Sequence, residues 1–134
     1  MTATTLTKTD RTIIAAGSSN AAGGTLRGVI DLRTAQGGLL TMKITNGATG
    51  PSVQCEGRVL IAHSTGSVPA PGGAGAVWKT LWAFGGGTVS NAITEQSFDV
   101  SPGIMHLEVE FTGNTVQPVT VEAFLSEITN AVSV

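Results

Sequence analysis

Residues 104–112, IMHLEVEFT, decide how the chain is to be read. Leu107, Val109 and Phe111 alternate there with His106, Glu108 and Glu110. A period of two belongs to a β-strand, whose successive side chains leave opposite faces. The apolar set is therefore expected in a core. The polar set is expected on a solvated or partner-facing side, the default for a half-buried antiparallel sheet. An unpaired buried carboxylate is costly, so neither Glu108 nor Glu110 is expected in an apolar interior.

The same period recurs outward from this stretch. Residues 25–34, TLRGVIDLRT, set Leu26, Gly28, Ile30 and Leu32 against Arg27, Val29, Asp31 and Arg33. Residues 38–46 put Leu40, Met42 and Ile44 on one face, and the short AQGG link predicts a hairpin between these two segments. Residues 52–63 align Val53, Cys55, Gly57, Val59 and Ile61, after an NGATGP turn. EQSFDVSPG, residues 95–103, holds a short strand and a Pro-Gly turn. Residues 118–129 alternate Val119, Val121, Ala123 and Leu125 against Thr120, Glu122, Phe124 and Ser126.

VWKTLWAF, residues 77–84, fits two periods. As a strand it lines up Trp78, Thr80, Trp82 and Phe84; as a helix it stripes Val77, Trp78, Leu81 and Trp82, with Gly85 as C-cap. The rest of the chain favours a strand. About eight strands in 134 residues predict one all-β domain, a two-sheet antiparallel sandwich of jelly-roll type. Residues 1–12, Thr-rich and without apolar alternation, read as an extended N-terminal arm, with a first strand as the other reading of the Thr-rich segment. STGSVPAPGGAGA, residues 64–76, reads as a long exposed loop.

Charged residues make up only 12% of the chain, against roughly 25% in an average soluble domain. That poverty leans toward a surface covered by partners. The net charge is −2, and the seven basic residues are scattered, which argues against nucleic acid and against an anionic membrane surface. The single cysteine, Cys55, excludes an internal disulfide. No signal-peptide pattern or membrane-length apolar run is present, so synthesis in a cytoplasm is expected.

Residues of one strand face stand in a row ~6.7 Å apart, and a row does not converge on one centre. A metal needs three or more ligands aimed at one point. His63, His106 and Glu108 or Glu110 are the only credible set; the chain has two histidines and no His-x-His pair. Glycoside chemistry on Glu108 and Glu110 would need aromatic platforms, and tyrosine is absent. His63 beside Ser64 lacks a nucleophile elbow. FGGGTVSN lacks the Lys of a phosphate-binding loop and reads as a mobile turn. Cys55 lies on an apolar face and reads as a buried thiol. No cofactor and no catalysis are expected.

Three segments carry a resemblance: GVIDLRTAQGGLLTMKITNGATGPSVQCEGRVLIAH, VWKTLWAFGGGTVSN and GIMHLEVEFTGNTVQPVTVEAFLSEIT. Across about residues 25–129 the chain resembles small virion proteins of tailed bacteriophages, and is most similar to capsid decoration, or cement, proteins. The resemblance implies a non-enzymatic β-sandwich on the capsid exterior. It would bind the major capsid protein and self-associate as a dimer or trimer. A neck, tail or fibre component is the alternative placement. A small jelly-roll metal enzyme or ligand-binding module is the alternative class. Segments that order on a partner exchange conformational entropy for contact area. The candidate contacts are Thr4, Thr5 and Leu6 of the arm, Val68, Pro69 and Pro71 of the loop, and Trp78 and Trp82, since tryptophan is enriched at interface hot spots.

Overall fold

The computed structural model describes residues 4–64, 67–70 and 77–133. Eight strands run in order: β1 (Thr4–Asn20), β2 (Thr25–Asp31), β3 (Gly38–Asn46), β4 (Glu56–Ala62), β5 (Lys79–Gly85), β6 (Ile93–Val100), β7 (His106–Thr112) and β8 (Val119–Ser133). They form two four-stranded antiparallel sheets, β1-β8-β3-β6 and β2-β7-β4-β5. Apart from β4 and β5, consecutive strands lie in different sheets. This is the jelly-roll sandwich that the spacing predicts. No helix among the described residues is long and apolar enough to cross a membrane.

The core is filled by the alternating sets. Leu40, Met42 and Ile44 of β3, Leu107, Val109 and Phe111 of β7, and Val119, Val121, Ala123 and Leu125 of β8 are all buried in one cluster. Residues 77–84 resolve as a strand over Lys79–Gly85. Their stripe is broken, however. A register shift against β4 pairs Val59 with Trp82 but Leu60 with Thr80. Trp82 and Phe84 therefore pack on the core, with ring centroids 5.3 Å apart, and Trp82 meets Phe98 of the other sheet at 4.9 Å. Trp78 is buried outside that cluster.

Two sequence expectations are corrected. The segments 25–34 and 38–46 form no hairpin, because β2 and β3 belong to different sheets. The link cannot act as a solvent-facing turn, since Leu32 and Ala35 are buried and carry the chain across the sandwich end. Gly37 makes the crossing feasible. Its φ is 75°, and a Cβ there would lie 2.0 Å from the carbonyl oxygen of Val100.

The described part of the N-terminal arm is not free chain either. From Thr4 onward it is β1, paired with β8 from Thr4↔Ser133 to Asn20↔Val119. Backbone hydrogen bonding supplied what apolar alternation did not. Where β1 approaches β2, Gly28 leaves the room: a Cβ there would stand 2.6 Å from Cγ2 of Ile13.

Candidate functional site

His106, Glu108 and Glu110 occupy the outer face of the β2-β7-β4-β5 sheet, yet they are buried, at 0%, 0% and 6% exposure. The expectation of a wet face fails because β7 is a central strand. Its flanking partners are Asp31 and Ala62 beside His106, Val29 and Leu60 beside Glu108, and Arg27 and Arg58 beside Glu110. Arg27 lies over both carboxylates. Its Nη1 donates to Glu108 Oε1 at 2.9 Å and also to Glu110 Oε2. Arg58 Nη1 is 3.7 Å from Glu110 Oε1, while its Nε donates to Glu56 at 2.8 Å. The carboxylates are thus outside the apolar core and matched by arginines, which is how buried charge is tolerated.

The loop after β4 completes the cover. His106 Nε2 lies 3.0 Å from the carbonyl oxygen of Ser64, and Trp78 Nε1 donates to the carbonyl of Ala70 at 2.8 Å. An Nε2–H tautomer fits the first contact. Among the described residues Nδ1 of His106 has no hydrogen-bond partner, and it is 3.7 Å from Asp31 Oδ1. Asp31 is itself held by Arg33, whose side-chain hydrogen bonds bring the Asp31 carboxyl down to about 2.

The candidate metal set does not assemble: among the described residues no three His, Cys, Asp or Glu side chains converge. His63 is exposed. Ser64 offers its carbonyl to His106, and its hydroxyl lies 3.4 Å from the carbonyl oxygen of Ser67. Cys55 is fully buried, and burial pushes its thiol up to about 11. The glycine-rich turn after β5 is clamped rather than mobile. Asn46 Nδ2 donates to the carbonyls of Gly86, Gly87 and Val89.

The second surface is the β1–β8 ribbon. β3 pairs with β8 only as far as Glu127, but β1 and β8 continue together to Thr4↔Ser133. The tip, residues 4–7 with 130–133, is two strands wide and extends ~15 Å beyond the sheet. Residues 5–12 are all exposed, Leu6 at 48%. A two-stranded ribbon alone is marginally stable in water.

The candidate contacts therefore divide. Thr4, Thr5 and Leu6 lie in the ribbon. Val68 is exposed and Pro69 half-buried, while Pro71 lies outside the described residues. Trp78 is buried, with its Nε1 on the loop carbonyl, and Trp82 is half-buried against the core. Sequence reasoning missed Arg27. Its place directly across from Glu110 depends on which strands are neighbours, and no local pattern records that.

No protein-family model matches the chain, and no curated protein sequence does. Solved structures match its fold. The K3 cleaved adhesin domain of Lys-gingipain from Porphyromonas gingivalis shares 11% identity at a TM-score of 0.53, over 89% of this chain and 72% of that one. The K1 cleaved adhesin domain of the same protein shares 14% at 0.52, over 94% and 98%. The SPBc2 prophage-derived protein YomS shares 19% at 0.46, over 90% and 94%. Identities this low speak to the fold alone.

Proposed function

We propose that this chain is a non-enzymatic virion structural protein of a tailed bacteriophage, a capsid decoration protein that binds the major capsid protein on the outside of the head. The observation that carries this reading is the β1–β8 ribbon. It exposes a polar, extended surface beyond a rigid sandwich, and extended segments attach by backbone hydrogen bonding to a neighbour's sheet. The resemblance of residues 25–129 to decoration proteins supplies the kind of partner. Glu108 and Glu110 are engaged by Arg27, and Nε2 of His106 meets the Ser64 carbonyl, which suits an adaptor body. A repeated lattice would multiply modest contacts by avidity.

The test is particle binding. Purified heads lacking this protein are mixed with the full chain, and with a chain shortened at both ends of the ribbon, removing residues 1–7 and 130–134. Cryo-electron microscopy of the mixtures locates the bound density. Regular density on the head lattice with the full chain, lost with the shortened one, is expected. Density confined to the neck, tail or fibres would refute the capsid assignment. No binding to any particle would refute the virion role.

A further inference from the structure

We propose that two copies of this chain pair edge to edge through β1, antiparallel about a two-fold axis at Thr9. The merged sheet would run β6-β3-β8-β1-β1-β8-β3-β6 across the dimer. This goes beyond the capsid reading and does not depend on it.

The edge is open and regular where the pairing is placed. From Lys8 to Thr12, β1 pairs with β8 in unbroken register, Lys8↔Ile128 to Thr12↔Phe124. These residues are exposed and include no proline. An axis at Thr9 uses Leu6–Thr12, which spans the shift at Thr7/Lys8; the extra residue there, Thr129, belongs to β8, so β1 itself has no inserted residue before Thr12. Further along, the edge is closed. Register shifts follow Thr12 and Ile14, and β2 approaches so closely at Ile13 that only Gly28 fits. Bulges and covering elements are the usual protection of edge strands, and they begin on β1 only after Thr12.

Charge then selects the register. Lys8 and Asp10 lie on the same face of β1, and neither joins an ion pair among the described residues. Arg11, by contrast, is bound to Glu127 of its own chain at 2.7 Å. An axis through Thr9 sets Lys8 opposite Asp10 of the second copy and Asp10 opposite its Lys8. Moving the axis to Lys8 or to Asp10 sets like charges face to face. Directly opposed like charges destabilise a strand pair, whereas opposed unlike charges stabilise it.

The other edge of the same sheet offers no such complementarity. The charges of β6 are Glu95 and Asp99, both acidic, so no antiparallel self-pairing of β6 sets unlike charges opposite each other, and one about Ser97 would oppose two acids twice. Isologous two-fold contacts need a self-complementary strip, and β1 carries one.

Sedimentation velocity of the full chain, across a concentration series and without particles, should show a reversible dimer. Lys8→Asp and Asp10→Lys should each weaken it about tenfold. The double exchange K8D/D10K restores the opposed unlike pairs and should recover the wild-type dissociation constant. A chain that stays monomeric, or a double exchange no better than the single changes, overturns the proposal.

A cysteine pair tests the register without altering charge. Oxidised Thr9→Cys should give a disulfide-linked dimer, because opposed Cα atoms lie within disulfide reach, roughly 4.4–6.8 Å. Thr12→Cys should not, since the two copies of residue 12 would stand ~20 Å apart. Cross-linking through residue 12 instead of residue 9 would refute the register. Because no particle is present, failure here is separable from failure of capsid binding.

Discussion

Arg27→Met tests whether the outer face of the β2-β7-β4-β5 sheet is held by charge matching. Arg27 contacts both Glu108 and Glu110, which are 0% and 6% exposed. Methionine keeps most of the side-chain stem and removes the guanidinium. Among the described residues Glu110 would retain Arg58, at 3.7 Å, and Glu108 would lose this arginine while keeping a further contact. Removing one partner of a fully buried pair costs about 3–5 kcal/mol. The Arg27 side chain is 34% exposed, so water can reach part of the vacated site, and the cost falls to about 2–3 kcal/mol. That is a large share of a typical domain stability of roughly 5–15 kcal/mol.

Urea unfolding followed by tryptophan fluorescence reads the change as a lower midpoint at constant slope. The matching control replaces the whole unit by apolar residues, as Arg27→Met with Glu108→Leu and Glu110→Met. Because the penalty comes from uncompensated charge, this triple change should recover all but about 1 kcal/mol. A single substitution costing under about 0.5 kcal/mol, the range of surface changes, would refute the reasoning. So would a triple variant as unstable as the single one.

Three further outcomes are expected. Phe111→Ala, at a fully buried position, should cost about 3–5 kcal/mol; a smaller thermal shift than at exposed Thr120 would mean its burial contributes nothing. Cys55, its thiol pushed up to about 11 by burial, should resist a thiol reagent at pH 8 in the folded protein and react once urea unfolds it; rapid native labelling would contradict the packing. Asp31, held at about 2 chiefly by the Arg33 hydrogen bonds, has a folded value below its unfolded one. Its contribution is therefore complete above about pH 4 and lost as pH falls through about 2. Carboxyl NMR should place its midpoint near 2, and Arg33→Ala should raise it; an unchanged midpoint would remove Arg33 as the cause.

The alternation within each strand was legible because it is local. Leu40, Met42, Ile44, Leu107, Val109 and Phe111 could be assigned to the core from their spacing alone. What lay across from each strand was not legible. Glu108 and Glu110 look like a solvated face in isolation, and only the placement of β7 between β2 and β4 brings Arg27 and Arg58 over them. The AQGG link has a hairpin's length, but buried Leu32 and Ala35 commit it to crossing between sheets. Residues 4–12 could not be settled between arm and strand, because a strand held through backbone pairing needs no apolar period, and threonines serve there as well as valines. Trp78 and Trp82 share a period-two face in the sequence but not in the sheet, since the shift at Val59/Leu60 has no local signature.

The low charge content acquires a different meaning once the pairs are known. Arg11, Arg27, Arg33, Arg58 and Lys43 all sit in ion pairs within the chain, with Glu127, with Glu108 and Glu110, with Asp31, with Glu56 and Glu110, and with Glu122. Lys79 also has an internal interaction. Of the seven basic residues, that leaves Lys8 as the one without an ion pair or other such contact among the described residues. The acids outside any ion pair there are Asp10, Glu95 and Asp99. All four lie on β1 and β6, the two edges of one sheet. Charges scattered for solubility alone would have no reason to favour edges. Placed there, the acids of β6 give a second copy of that edge no opposite charge to meet, while Lys8 and Asp10 make the β1 edge complementary to itself. Charge thus favours sheet extension through β1 over β6, beside the ribbon that reaches outward from the fold.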